Sequence, residues 1–175
     1  RPMPPDAAAP ALDPTDPPAL KRALGRFATG VTVITTVGAD GAPLGFTANS
    51  FNSVSLDPPL ILWSLARTSQ RLGAYRGASH YAVNVLAAEQ EGLARRFAGP
   101  AEDRYADVDW APGLGGAPVL AGVLACFECA HEAVYPAGDH ELFIGRVMRA
   151  RETPGRPLTY FGGGFGTVLG ELEPD

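Results

Sequence analysis

The chain has 175 residues, 46% of them hydrophobic and 19% charged, with a net charge of −5 and a pI near 5.2. One domain of ordinary size fits that length. An acidic chain without a basic stripe excludes nucleic acid and anionic membranes as natural partners. The apolar run Leu60–Ala66 is far shorter than the roughly 20 residues a membrane-spanning helix needs, so no membrane role is expected. With no apolar signal-peptide core near residue 1, a cytoplasmic location is expected.

Residues 1–18 hold seven of the 17 prolines and read as a disordered Pro-rich arm, ahead of a folded domain over 19–170. Asp16-Pro17-Pro18 suits a helix start, and a helix over Ala19–Ala28 would place Leu20, Leu24 and Phe27 on one face and stop at Gly30. The β-branched run Val31–Val37 is a strand, Asp40-Gly41 a tight turn and Leu44–Phe51 its return strand. After the break at Asp57-Pro58-Pro59 come a strand over Leu60–Leu65, a short helix capped by Thr68 or Ser69 and running to about Tyr75, and a strand over Tyr81–Leu86. Glu89–Phe97 is helical, and 99–118 reads as a long loop. Strands follow over Val119–Tyr135 and Glu141–Arg151, joined at Pro136–Asp139, and a short strand over Leu158–Phe161 closes the domain. Six or more strands with three short helices predict a mainly β fold, an antiparallel barrel or sandwich.

The chemistry concentrates in a few places. Thr47-Ala48-Asn49-Ser50, with Ser53 and Ser55 beyond, puts small polar groups on both faces of the predicted strand, with Asn49 buried; a solvated edge strand and a ligand site both account for that pattern. Thr68-Ser69-Gln70-Arg71 offers two hydroxyls and a guanidinium, a phosphate cradle if they do more than cap a helix. Cys126 and Cys129 spell C-x-x-C, but residues three apart on one strand point to opposite faces and no second ligand pair completes a metal site, so both are read as structural thiols, as is His131. His140 follows Gly138-Asp139 at a turn, where an imidazole can reach a pocket mouth. No nucleophile–base set is present, and Gly162–Gly166 lacks the helix and acidic residue of a dinucleotide fingerprint.

Six stretches taken in order carry a family resemblance: Phe27–Ile34, Gly45–Phe51, Ser53–Pro59, Ala82–Leu86, Gly138–His140 and Pro157–Phe161. Together they resemble the short-chain flavin reductase family, the flavin-binding split β-barrel proteins that serve two-component monooxygenases, over about residues 19–165. The resemblance implies an antiparallel split β-barrel homodimer that binds FMN or FAD and takes hydride from NADH or NADPH. It assigns flavin binding to Thr47, Ala48, Asn49, Ser50, Ser53, Val54, Ser55, Ala66, Thr68 and Ser69. Gly138, Asp139 and His140 would border the nicotinamide, with His140 as the residue closest to catalysis and no metal involved. Phe46, Gln70-Arg71 and Gly162–Gly164 depart from the family pattern.

The expected activity is therefore an NAD(P)H:flavin oxidoreductase that delivers reduced flavin to a flavin-dependent monooxygenase. The alternatives are a flavoenzyme acting on another small substrate, or a non-catalytic flavin- or haem-binding module.

Overall fold

The computed structural model describes residues 10–100 and 103–169. Helix α1 (Pro17–Leu24) leads into the short strand β1 (Thr29–Gly30). Strands β2 (Thr32–Val37), β3 (Pro43–Ala48), β4 (Asn52–Leu56) and β5 (Pro59–Ala66) follow, then helix α2 (Leu72–Gly77) and β6 (His80–Val85). Helix α3 (Glu91–Ala98) precedes the short ribbon β7 (Trp110–Pro112) and β8 (Pro118–Leu120). The long hairpin β9 (Ala125–Ala137) and β10 (His140–Glu152) comes next, and β11 (Leu158–Phe161) with β12 (Gly164–Thr167) ends the described chain.

Seven strands form one antiparallel sheet in the order β3-β2-β6-β9-β10-β5-β4. Its edge strands β3 and β4 are consecutive in sequence, separated only by residues 49–51. In a flat sheet six strand spacings of about 4.8 Å would hold the edges roughly 29 Å apart. The link from Ala48 to Asn52 reaches at most about 14 Å. The sheet must therefore curl until its edges nearly meet, which makes an open barrel with a seam between β3 and β4. Ser50 bridges that seam: its Oγ accepts from the Ser64 N–H at 3.0 Å and lies 3.3 Å from the Ser64 carbonyl.

Alternation along the strands sorts two cores. Ile34, Ile61, Trp63, Leu65, Tyr81, Val83, Cys129 and Phe143 fill the barrel, where Trp63 and Phe143 stack with ring centroids 4.1 Å apart. Helix α2 adds Leu72 and Tyr75, and the Tyr75 hydroxyl donates to the Ile34 carbonyl at 2.6 Å. On the outer face Val31, Val33, Ala82, Leu86 and Cys126 pack under Ala94 and Phe97 of α3. Two buried polar side chains secure that layer. Asn84 donates to the Val33 carbonyl at 3.1 Å and accepts from the Leu120 N–H at 2.9 Å. Glu128 accepts from the Leu114 N–H at 2.8 Å and pairs with Arg149 and Arg151 at 3.3 and 3.1 Å.

Several sequence expectations are corrected. The first helix ends at Leu24 rather than Ala28, and Leu20, Leu24 and Phe27 are exposed, with Ala19 buried instead. The return strand stops at Ala48, since the chain must leave β3 to reach the opposite edge, and β4 is an additional strand. Helix α2 begins at Leu72, and no side chain caps its start. The 99–118 stretch contains β7, a short 3-10 turn at Leu114–Gly116 and the first residue of β8, which pairs with β7. The strand expected over Val119–Tyr135 is two strands, interrupted at 121–124. Leu158–Phe161 is followed by a further strand, because Gly162 and Gly163 form its hairpin turn. Of the arm over 1–18, residues 1–9 lie outside the described residues; residues 10–16 are irregular and exposed.

Candidate functional site

The seam collects most of the residues singled out from the sequence. Thr47 lies near the end of β3, and its hydroxyl donates to the Ala94 carbonyl at 2.6 Å, which leaves its oxygen lone pairs for a further partner. Ala48 turns its side chain into the barrel core, and its carbonyl accepts from the Thr32 hydroxyl at 2.7 Å. Asn49 is exposed, not buried as the uninterrupted strand implied, because the alternation ends one residue earlier. Its amide is thus open to a ligand.

Strand β4 carries Ser53 and Val54, both exposed, and Ser55, half-buried. A register shift between Ser53 and Ser55 makes Val54 an extra residue on the edge strand. Ser53 stands opposite Ile61, and Ala66 lies five residues further along β5, roughly 17 Å away at strand rise. Only an elongated ligand could touch both.

At that far end the chain folds into a tight turn. The Ser69 N–H donates to the Ala66 carbonyl at 2.9 Å, and the Arg71 N–H to the Ser69 Oγ at 3.3 Å. Thr68 is exposed and Ser69 half-buried. Ala66 is the register partner of His140 on β10. The Arg67 N–H donates to the Asp139 carbonyl at 2.9 Å, so the 66–69 turn and the 138–140 turn are joined directly. The second is a two-residue hairpin turn whose first position, Gly138, has φ +60°, a conformation costly for any residue with a Cβ.

The half-buried ring of His140 sits with Nδ1 2.7 Å from Asp139 Oδ1, and that hydrogen bond holds the Asp139 carboxyl below its usual range. An Nδ1–H donated to Asp139 leaves Nε2 as the free ring atom. Next along β10, the buried Glu141 accepts from Arg76 Nε at 2.8 Å and also pairs with Arg76 Nη2. The Arg76 hydrogen bond holds the Glu141 carboxyl below its ordinary range. This pair fixes α2 to the base of the His140 turn.

The flavin fit can be judged on these groups. A planar, polar-edged ring needs donors and acceptors at a cleft, which the exposed Asn49 and the outer edges of β3 and β4, bonded to no further strand among the described residues, supply. A terminal phosphate needs hydroxyls and positive charge, which Thr68, Ser69 and the exposed Arg67 supply. Sequence reasoning passed over Arg67 and the Arg76–Glu141 pair. The signal for Glu141 was its place beside His140, on the opposite strand face.

The remaining thiols and imidazole pack against the two cores. Cys126 and Cys129 are free and buried in different cores, and burial pushes both thiols up to about 12. The His131 ring lies against Tyr81 and Phe143. Among the described residues no cluster of His, Cys, Asp or Glu could hold a metal, and no helix is long and apolar enough to cross a membrane.

Residues 24–169 match the family described as flavin reductase like domain. The chain is 49% identical over 148 residues to the FMN reductase (NADH) SmoA of Agrobacterium fabrum, covering 83% of each. It is 47% identical to the reductase component of the flavin-dependent trigonelline monooxygenase of Acinetobacter baylyi, with 85% of this chain covered. The chain spans about half the length of two of the curated relatives it matches, 49% and 48%. The solved NADH:FAD oxidoreductase SgcE6 of Streptomyces globisporus, in complex with NAD and FAD fragments, superposes with a TM-score of 0.88 at 41% identity, covering 94% of this chain and all of that one.

Proposed function

The chain belongs to the flavin reductase like domain family, and from that membership we propose that it is an NADH-dependent reductase of FMN or FAD which hands reduced flavin to a separate flavin-dependent monooxygenase. The observation that carries the reading is the direct bond from Arg67 to Asp139, which joins the candidate phosphate turn to the candidate nicotinamide turn.

In this reading the flavin lies along the seam, with its polar ring edge at Asn49 and the β3–β4 edges and its phosphate at Thr68 and Ser69. Ser50 keeps the seam at fixed width through Ser64. Ser53, Val54 and Ser55 form the rim, while Thr47 and Ala48 contribute mainly backbone and lone pairs. The bound flavin supplies the hydride-accepting ring. The protein's task is positioning, since the reacting rings must be held within about 3–3.5 Å of each other. His140, aimed by Asp139, orients the nicotinamide carboxamide or diphosphate; no proton need pass through it.

The proposal extends to a homodimer of split-barrel domains. Leu24, Phe27 and Phe161 are 66%, 78% and 48% exposed, and Leu56 on the edge strand is 95% exposed, apolar side chains that a second copy would cover. Steady-state NADH oxidation at increasing free FMN or FAD tests the function: the rate should rise with flavin and saturate. An oxidation rate indifferent to added flavin would instead support a flavoenzyme with tightly held flavin.

A further inference from the structure

Beside the phosphate end of the seam lies an open cavity of about 250 Å³, lined by Pro43, Gly45, Arg71, Asp103, Arg104 and Tyr105 among others. Two arginines, Arg71 and Arg104, are among its lining residues. Arg104 Nη2 donates to the Gly99 carbonyl, but its buried Nε has no acceptor among the described residues. The Arg104 guanidinium is held below its ordinary range by burial first and then by the Arg71 charge. The described side-chain hydrogen bonds of Asp103 go to the N–H groups of Tyr105 and Ala106, at 3.0 and 3.1 Å. The wall therefore carries two arginines against one carboxylate, Asp103, a net positive charge, and Arg71 is close enough to Arg104 to act on its charge. Guanidiniums bind multidentate oxyanions, carboxylate and phosphoryl groups among them.

Position says which phosphoryl group. Arg71 is two residues beyond Ser69, whose Oγ accepts from the Arg71 N–H. Gly45 is two residues before Thr47 on β3, about 7 Å along the strand. The cavity thus continues the flavin path past the first phosphate. It is smaller than the roughly 300–1,000 Å³ of a complete ligand pocket, and suits the distal part of a longer ligand.

We propose that Arg71 and Arg104 bind the diphosphate of an adenine dinucleotide whose flavin end occupies the seam, so that the protein prefers FAD to FMN. This rests on the flavin-reductase reading above. NADH carries the same diphosphate chemistry; the short path from Ser69 favours FAD as the source.

Fluorescence titrations of FMN and FAD against the wild-type chain, Arg71→Gln and Arg104→Gln test this, with NADH KM measured in parallel. Wild type should bind FAD about tenfold or more tighter than FMN, and each substitution should shrink that ratio about tenfold, the usual scale of a lost charge-assisted hydrogen bond. ADP should compete with FAD more strongly than with FMN. Equal wild-type affinity for the two flavins, or an unaltered ratio in Arg71→Gln, overturns the inference while leaving flavin reduction intact. Failure to bind either flavin overturns the underlying reading instead. A raised NADH KM with an unaltered FAD constant assigns the cavity to NADH and overturns the FAD assignment. Arg104 also holds Gly99, so if Arg104→Gln does not fold, Arg71→Gln decides the matter.

Discussion

The backbone N–H of Arg67 donates to the carbonyl of Asp139 at 2.9 Å, tying the turn that ends β5 to the turn that begins β10. Two segments 72 positions apart in the chain are thereby joined directly. A reductase that must hold two ligands in register gains by this coupling.

His140→Ala should therefore act on nicotinamide more than on flavin. Loss of one positioning contact, about 1.4–2.7 kcal/mol, corresponds to roughly 10- to 100-fold in kcat/KM for NADH. Flavin affinity should stay within a few-fold, because the Arg67–Asp139 bond is made by backbone and survives the substitution. Stopped-flow reduction across NADH concentrations separates the two effects; wild-type rates would return His140 to an ordinary solvated turn residue.

Asn49→Ala should raise the flavin dissociation constant about 5- to 100-fold, as expected for ligand groups left without partners. Since Asn49 is exposed and outside both cores, the thermal midpoint should hold. A lowered midpoint with unchanged flavin affinity would make it a residue of the seam's structure only.

The Glu141 carboxyl is held below its ordinary value of 4.5 by its hydrogen bond to Arg76. The ionised form favours the folded state, so its contribution is present in full above pH 4.5 and is lost as the pH falls through the lower, folded value. The thermal midpoint of wild type should exceed that of Glu141→Gln at neutral pH, and the gap should narrow below that point. A gap constant with pH would show that packing, not charge, holds α2 against β10.

Cys126 and Cys129, with thiols pushed up to about 12, should resist disulfide-exchange reagents in the folded protein. At pH 8 roughly one thiol in ten thousand is thiolate. Both should react promptly in denaturant. Rapid labelling of one thiol in the native state would mean that its core opens readily.

The sequence carried the local devices well. Hydrophobic alternation and Asp40-Gly41 locate the β2–β3 hairpin, where the Ala42 N–H donates to the Asp40 side chain at 3.0 Å. The C-x-x-C spacing rightly sends its two thiols to different faces. The break at Asn49–Phe51 was not legible, because no Gly or Pro marks it; closure of a seven-stranded sheet ends β3 there. The exposure of Leu24 and Phe27 was hidden for a related reason, since periodicity shows that a face is apolar but not what covers it. The partners of Glu128 and the approach of Arg104 to Arg71 depend on contacts between distant segments, which no local pattern records. The order of six short motifs, by contrast, points to the family to which the chain belongs.

The most direct test of the central claim is anaerobic mixing of the protein with excess NADH and a large excess of free FAD or FMN, with reduction followed by loss of the oxidised flavin's absorbance. A reductase that releases its product will reduce many flavins per chain, at a rate that saturates in both NADH and flavin. Reduction that stops at one flavin per chain, however much is added, would contradict the account.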